Sequence, residues 1–280
     1  MKGIFSMLLV LLLIMGCSQQ SQTSNAEKSE DNDKVESEKE DKEEQSNKET
    51  TNEEIDEEKE EETEQSSDEK QEPEYIMNDS WSFEPIDNAK EEVVLLTFDD
   101  APDENGLEIA KTLHELETPA IFFVNGHFIN TEEKQEILKQ IHDLGFPIGN
   151  HTMTHSSLPE LPEEEQKAEI VDLNNQVEEI TGERPRFFRA PFGQNTDLTK
   201  QVAEEEEMLL MNWTYGYDWE AEYQEADSLA DIMVNTDLLV PGANLLMHDR
   251  EWTAEAVPDI VEGFKEKGYD ILDPELIKIN

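Results

Sequence analysis

Residues 93–98 form a nearly continuous apolar run that ends on two adjacent carboxylates, Asp99 and Asp100. A run this short and this apolar fits a strand buried on both faces. Such strands belong to parallel sheets, whose neighbours must be joined by crossover segments, usually helices. The chain downstream supplies that alternation. Helical spacing covers 105–117, and 120–124 is a second buried strand ended by Asn125 and Gly126. Thr131 caps a helix that runs to Leu144, with Gly145 just past its end. Further strands are predicted over 147–150, 186–189, 208–213 and 244–247, with a last strand segment within 271–279. Helices are predicted over 162–180, 198–207, 227–239 and 254–267. Before all of this, 75–92 reads as a lead-in, with Trp81 and Phe83 docking on the domain.

The chemically informative residues fall at strand ends: Asp99 and Asp100, His151 and His155, Arg189, Asp218, and His248. In β/α barrels the carboxyl-terminal face of the strands carries the active site. An open doubly wound sheet is the competing architecture, but its ligands gather at one crevice rather than around a ring. The expected class is therefore α/β, a (β/α) barrel.

His151 and His155 stand four residues apart among small polar residues, so both imidazoles can turn toward one point. Imidazole is the commonest protein ligand for a divalent metal near neutral pH. Taken alone, the pair reads equally well as a solvated turn. Two histidines make an incomplete site, and the acid pair Asp99-Asp100 is the best source of a third ligand.

The amino-terminal third obeys different rules. Residues 1–17 read as a secretory signal: Lys2, a mostly apolar run, then Gly16 and Cys17. Ile14-Met15-Gly16-Cys17 resembles a bacterial lipobox, which makes Cys17 the lipid anchor; the other reading is an ordinary cleaved signal. Cys17 is the only cysteine among the 280 residues, which rules out an intramolecular disulfide. Residues 18–74 are rich in Glu, Lys, Ser, Asn, Gln and Thr, and too poor in large apolar groups to offset the entropy of ordering. They are expected to form a disordered acidic linker. Residues 75–280 remain as one catalytic domain. Of the chain's formal charge of −49, residues 93–280 contribute −29. Such a surface excludes nucleic acid and anionic lipid as partners, because phosphate binding depends on basic clusters.

Four motifs, taken together, resemble the polysaccharide deacetylases, the NodB-homology domains of carbohydrate esterase family 4. They are Thr97-Phe98-Asp99-Asp100-Ala101-Pro102, His151-Thr152-Met153-Thr154-His155, Arg189-Ala190-Pro191-Phe192-Gly193 and Leu246-Met247-His248, in the family's order. The resemblance covers roughly 93–280. It implies a distorted, incomplete (β/α) barrel and a hydrolase that removes acetyl groups from a polysaccharide. It further implies one divalent metal, zinc with cobalt or manganese as alternatives, held by Asp100, His151 and His155. Asp99 would be the general base, held charged and oriented by Arg189, and His248 the general acid. The backbone N–H near Phe192 would help to stabilise the oxyanion, and Phe192, Trp219 and Leu246 would contact the substrate.

Two departures from the family pattern stand out. Ala101 replaces the usual glycine after the acid pair. The motif before Trp219 offers one acid, Asp218, where two are usual, so Asp218 is left with either of two roles. The reading that results is a monomeric N-deacetylase, lipid-anchored on the extracellular face of a bacterial membrane. Its glycan would contain N-acetylglucosamine, as peptidoglycan or as poly-N-acetylglucosamine. An O-acetyl esterase and a catalytically silent glycan-binding lipoprotein are the alternatives.

Overall fold

The computed structural model describes residues 72–279; the signal, Cys17 and nearly all of the acidic segment 18–74 lie outside the described residues. The described chain opens with an antiparallel hairpin, β1 (Tyr75–Met77) and β2 (Phe83–Pro85). Strands and helices then alternate: β3 (Val93–Ala101), α1 (Gly106–Glu115), β4 (Ile121–Val124), α2 (Glu132–Asp143), β5 (Ile148–Asn150) and α3 (Glu163–Thr181). They continue with β6 (Phe187–Phe188), α4 (Asp197–Glu205), β7 (Leu209–Leu210), α5 (Ala226–Asn235), β8 (Ala243–His248), α6 (Glu251–Glu266) and β9 (Asp270–Ile271). Among the described residues no helix is long and apolar enough to cross a membrane.

All pairings of β3 to β9 are parallel, in the order β7-β6-β5-β4-β3-β8, with β9 joining the start of β3. The sheet curls into an incomplete barrel. One irregular stretch spans the remaining gap: Met211 N–H still bonds to Phe188 O on β6 (2.9 Å), while Thr214 N–H bonds to Asn244 O on β8 (2.7 Å). Leu246 N–H then bonds to Tyr215 O (2.9 Å). This crossing explains why the strand predicted over 208–213 shrinks to Leu209–Leu210: the chain leaves one sheet edge to reach the other. The predicted strand within 271–279 is also short. After β9 the chain makes a 3₁₀ turn at Pro274–Leu276, and Ile277 pairs with Tyr75.

Side chains alternate across β3, as a period of two requires. Val94, Leu96 and Phe98 face the helices and pack with Ile109, Leu113, Ile260 and Phe264. Val93 and Leu95 face the barrel interior, with Ile121, Phe123, Phe187, Leu209 and Met211. Phe83, Tyr75, Leu272 and Ile277 join this inner cluster and close the amino end of the strands. Phe83 is thus a docking residue, as predicted, whereas Trp81 is only half-buried. Farther along β3 the inward side chains are Thr97 and Asp99, so the interior turns from apolar to charged toward the carboxyl end.

The hairpin is seated on Gly242, whose backbone accepts a bond from Phe83 N–H (2.8 Å) and donates one to Val93 O (2.8 Å). Gly242 has φ +75°, and an added Cβ would collide with the Phe83 carbonyl. Gly242→Ala is expected to lower the unfolding free energy by more than about 1 kcal/mol. A urea titration would show this as a lower midpoint at unchanged slope; an unmoved midpoint would mean that the hairpin adds nothing to the fold.

Candidate active site

Strict alternation along β3 would send Asp99 and Asp100 to opposite faces. The register instead shifts: Phe98 pairs with Phe122 and Ala101 with Val124, so that two residues of β3 oppose one of β4. Such a bulge re-aims a side chain, here at the price of a left-handed conformation at Asp100 (φ +60°). Both carboxylates thereby reach the same cavity. Ala101 is not among the positive-φ residues, so its methyl group carries no such strain, and the departure from glycine is accommodated.

The histidines follow β5. Thr152 and His155 both have positive φ (71° and 57°), unusual for non-glycine residues and an outlier for β-branched Thr152. Buried amides hold this turn in place. Asn125 Nδ2 donates to His151 O (2.5 Å), and Asn150 Oδ1 accepts from Thr152 N–H (2.9 Å). From α3, Glu169 accepts from the N–H and hydroxyl of Thr154 (2.8 and 2.7 Å). His155 also packs edge-on against Phe192, with ring centres 4.9 Å apart.

Asp100 Oδ1 lies 3.6 Å from His155 Nε2 and 4.0 Å from His151 Nε2. Ligand atoms about 2 Å from a tetrahedral ion would stand somewhat more than 3 Å apart, so the three groups can hold a divalent cation. The tautomer of His151 fits this role. Its Nδ1 donates to Arg189 O (2.6 Å), which leaves Nε2 bare toward the carboxylates. Burial pulls the His151 pKa down, against the charges of Asp99 and Asp100, so the ring favours the neutral form that binds metal.

Asp99 divides its two oxygens. Oδ1 accepts from Arg189 Nη1 (2.6 Å), while Oδ2 stands 3.5 Å from His151 Nε2. Arg189 is wholly buried, stacked 4.3 Å over the Phe123 ring, and bonded also to Thr97 Oγ1, Asn212 O and Asn244 Oδ1 (2.7, 3.0 and 3.3 Å). On β8, His248 lies directly across the ladder from Asp99. Its Nδ1 and its backbone N–H both bond to Asp218 (2.8 and 2.5 Å), whose Oδ2 also accepts from Thr253 Oγ1 (2.9 Å). Burial lowers the His248 pKa, but the hydrogen bond to Asp218 and the charges of Asp218, Asp99 and Asp100 outweigh it and leave the pKa raised. Of the two roles open to Asp218, the geometry matches the partner of His248.

Asp99, Asp100, His151, His155, Asp218 and His248 line one cavity of about 330 Å³, together with Phe192, Trp213, Trp219, Leu246 and Arg250. Phe192 and Trp219 are exposed (60 % and 44 %), Trp219 standing edge-on to His248 at 5.6 Å, while Leu246 is buried in the wall. The N–H groups of Gly193 and Gln194 bond within the Pro191–Gly193 turn, which leaves that of Phe192 outside its bonds. The Asp249 carboxylate accepts from the N–H groups of Asp103, Asn105 and Gly106 (2.7, 2.5 and 2.7 Å), and so holds the loop that follows β3. Sequence reasoning missed Arg250 and Trp213. Arg250 directly follows His248 and Asp249 and is a rare cation in an acidic chain, the one signal that could have singled it out.

A family model described as polysaccharide deacetylase matches residues 86–210. Two peptidoglycan-N-acetylglucosamine deacetylases of Bacillus cereus are 32 % and 29 % identical over 193 and 182 residues. The matched stretches cover 65 % and 62 % of this chain and 70 % and 64 % of those relatives, so the chain spans just under two thirds of the second. Among solved structures, a CE4 family pseudoenzyme from Bacillus anthracis superposes with a TM-score of 0.60 at 28 % identity, over 66 % of this chain and 64 % of that one.

The geometry separates the two neighbouring acids. Asp100→Ala is expected to lose bound metal and activity together, whereas Asp99→Asn keeps metal and loses on the order of 100-fold or more in turnover. Metal analysis of both variants checks this, and the opposite pattern would reverse the assignment. A second expectation concerns pH. Because the hydrogen bond and charge of Asp218 raise the His248 pKa, the protonated imidazole persists to higher pH than it would alone and is lost as pH rises through that value. Asp218→Asn should therefore move the alkaline limb of kcat/KM to lower pH with metal still bound; an unmoved limb would free Asp218 of this role.

Proposed function

Because this chain belongs to the polysaccharide deacetylase family, we propose that it is a metal-dependent hydrolase that removes N-acetyl groups from a glycan containing N-acetylglucosamine. One observation carries the reading: a ligand set, an Arg-held carboxylate and a carboxylate-held imidazole meet in a single cavity. Asp100, His151 and His155 would hold the ion, with zinc favoured by two imidazoles and one carboxylate. When bound, such a cation polarises the acetyl carbonyl and makes water more acidic.

The chain's own residues do the rest. Asp99 accepts the proton of the attacking water through Oδ2, because Arg189 occupies Oδ1 and fixes the carboxylate's direction. The N–H of Phe192 donates to the oxygen on which negative charge develops. His248, held by Asp218 and with its pKa raised, gives its proton to the departing nitrogen. Phe192 and Trp219 offer exposed aromatic faces beside the cavity on which sugar rings can stack.

An amide needs that last proton more than an ester does, since an unprotonated amine leaves poorly. The carboxylate-backed His248 therefore favours N- over O-deacetylation. Similarity to a pseudoenzyme supports a silent, glycan-binding reading. Against it stand the metal set, the Asp99–Arg189 pair and the Asp218–His248 pair, all present together in this chain.

Peptidoglycan is the favoured glycan, on the strength of the Bacillus cereus relatives and of the chain's amino-terminal segment. With Cys17 as a lipid anchor on the outer face of the membrane, about 57 residues precede Tyr75. The test treats purified sacculi and soluble poly-N-acetylglucosamine separately with the protein and measures acetate and new free amines. Release from sacculi, abolished by chelation and restored by zinc, is the expected result. Release from the soluble polymer alone would move the substrate away from peptidoglycan, and no release from either would favour the silent reading.

A further inference from the structure

The carboxylate of Asp100 is divided as cleanly as that of Asp99. Oδ1 faces the histidines, 3.6 Å from His155 Nε2 and 4.0 Å from His151 Nε2, whereas Oδ2 faces Arg250 Nη2 at 3.3 Å. Arg250 is itself held. Its Nη1 donates to the backbone oxygen of Asp249 (2.9 Å) and lies 3.6 Å from Asp103 Oδ2. The guanidinium thus bridges Asp100, the next-to-last residue of β3, and Asp103 of the loop that follows. Each of the two neighbouring aspartates has its own arginine: Asp99 is served from beneath by buried Arg189, and Asp100 from the rim by half-exposed Arg250.

The adjoining residues of the same turn grip the same loop. Asp249 takes the N–H groups of Asp103, Asn105 and Gly106, and Asp249 N–H donates to Asp99 O (3.1 Å). Lys134 holds the loop from the other side, bonding to the backbone oxygens of Pro102 and Asp103. The backbone of the Asp100 loop is therefore fixed without Arg250. What remains for Arg250 is the rotation of the Asp100 carboxylate, whose terminal torsion is soft and roughly two-fold. A freely turning carboxylate presents either oxygen, or both, to an ion, and so can occupy positions that water and substrate need.

We infer that Arg250 is a positioning residue: it binds Oδ2 of Asp100 so that Oδ1 alone is turned to the metal point between His151 and His155. This rests on the proposed role of Asp100 as a metal ligand. A guanidinium suits the task better than an ammonium because its planar fork reaches Asp100 and the Asp249 carbonyl at once. The opposite sign is expected of a cation that acts through charge alone. Such a group repels a divalent ion, and its removal would tighten binding.

The experiment measures zinc affinity by competition with a chromophoric chelator, using the full chain and its Arg250→Gln, Arg250→Lys, Asp100→Ala and Asp100→Ala/Arg250→Gln variants. Arg250→Gln should weaken zinc binding about tenfold, the lower end of what residues that orient a metal ligand contribute. Arg250→Lys should recover part of that loss. In the Asp100→Ala background the Arg250→Gln change should make no further difference, since its effect runs through Asp100. Unchanged or tighter binding in Arg250→Gln overturns the proposal, as does an equal loss in both backgrounds. If Asp100→Ala itself keeps wild-type affinity, the fault lies with the ligand assignment instead. Thermal unfolding of the metal-free variants separates orientation from folding: the Arg250→Gln midpoint should match that of the parent, and a large drop would assign Arg250 a structural role in place of the one inferred.

Discussion

Arg189 heads the fully buried side chains by size among the described residues, and the interior of the barrel is arranged around its charge. Taking a guanidinium out of water costs several kcal/mol unless it is paired and hydrogen-bonded. The chain meets that cost with partners from separate elements. Asp99 and Thr97 come from β3, Asn244 from β8, and the Asn212 carbonyl from the segment that crosses between sheet edges. The Phe123 ring on β4 lies beneath it, with its centre 4.3 Å from the guanidinium carbon. One side chain just past the end of β6 thus ties together the parts of a ring whose strands do not close by themselves. The same residue's carbonyl fixes the tautomer of His151. The residue that holds the barrel together thus also orients Asp99 through its guanidinium and His151 through its carbonyl, the groups proposed as base and as a metal ligand.

Around that centre the site repeats a single device: a reactive group is held by one atom and presented by another. His151 is held at Nδ1 and offers Nε2, and His248 is held at Nδ1 by Asp218. Asp99 is held at Oδ1 by Arg189, and Asp100 at Oδ2 by Arg250. Backbone strain gathers in the same place, with positive φ at Asp100, Thr152, His155 and Phe192. Non-glycine residues keep such conformations only where surrounding bonds over-determine them, and here buried Asn125 and Asn150 and the side chain of Glu169 do so. The closed amino end of the barrel supplies rigidity, and the open carboxyl end carries the groups that act.

Much of this was legible in the chain before any coordinates. The alternation of short apolar runs with amphipathic helices specified a parallel α/β sheet, because strands buried on both faces need helices to cover them. Spacing singled out His151 and His155, and position at a strand end singled out Asp99, Asp100, Arg189 and His248. These residues announce themselves because polar groups that end apolar runs are hard to explain as packing. Short or irregular segments were not legible. Leu209–Leu210 was overestimated because Met208 to Trp213 are strand-like in composition, yet the chain must leave β6 there to reach β8.

Sequence by itself determined which residue types stand at which strand ends, since those follow from local pattern and from the period of each element. Tertiary structure decided how they divide their atoms. The bulge that turns Asp99 and Asp100 to one side depends on the register between β3 and β4, a property of two strands and not of one. The pairing of Asp218 with His248 joins residues thirty positions apart through the curl of the sheet. The pairing of Arg250 with Asp100 spans 150 positions and exists because β3 and β8 are neighbours. Contacts of this kind carry no local signature, because side-chain chemistry is written along the chain whereas proximity is created only when the ring forms.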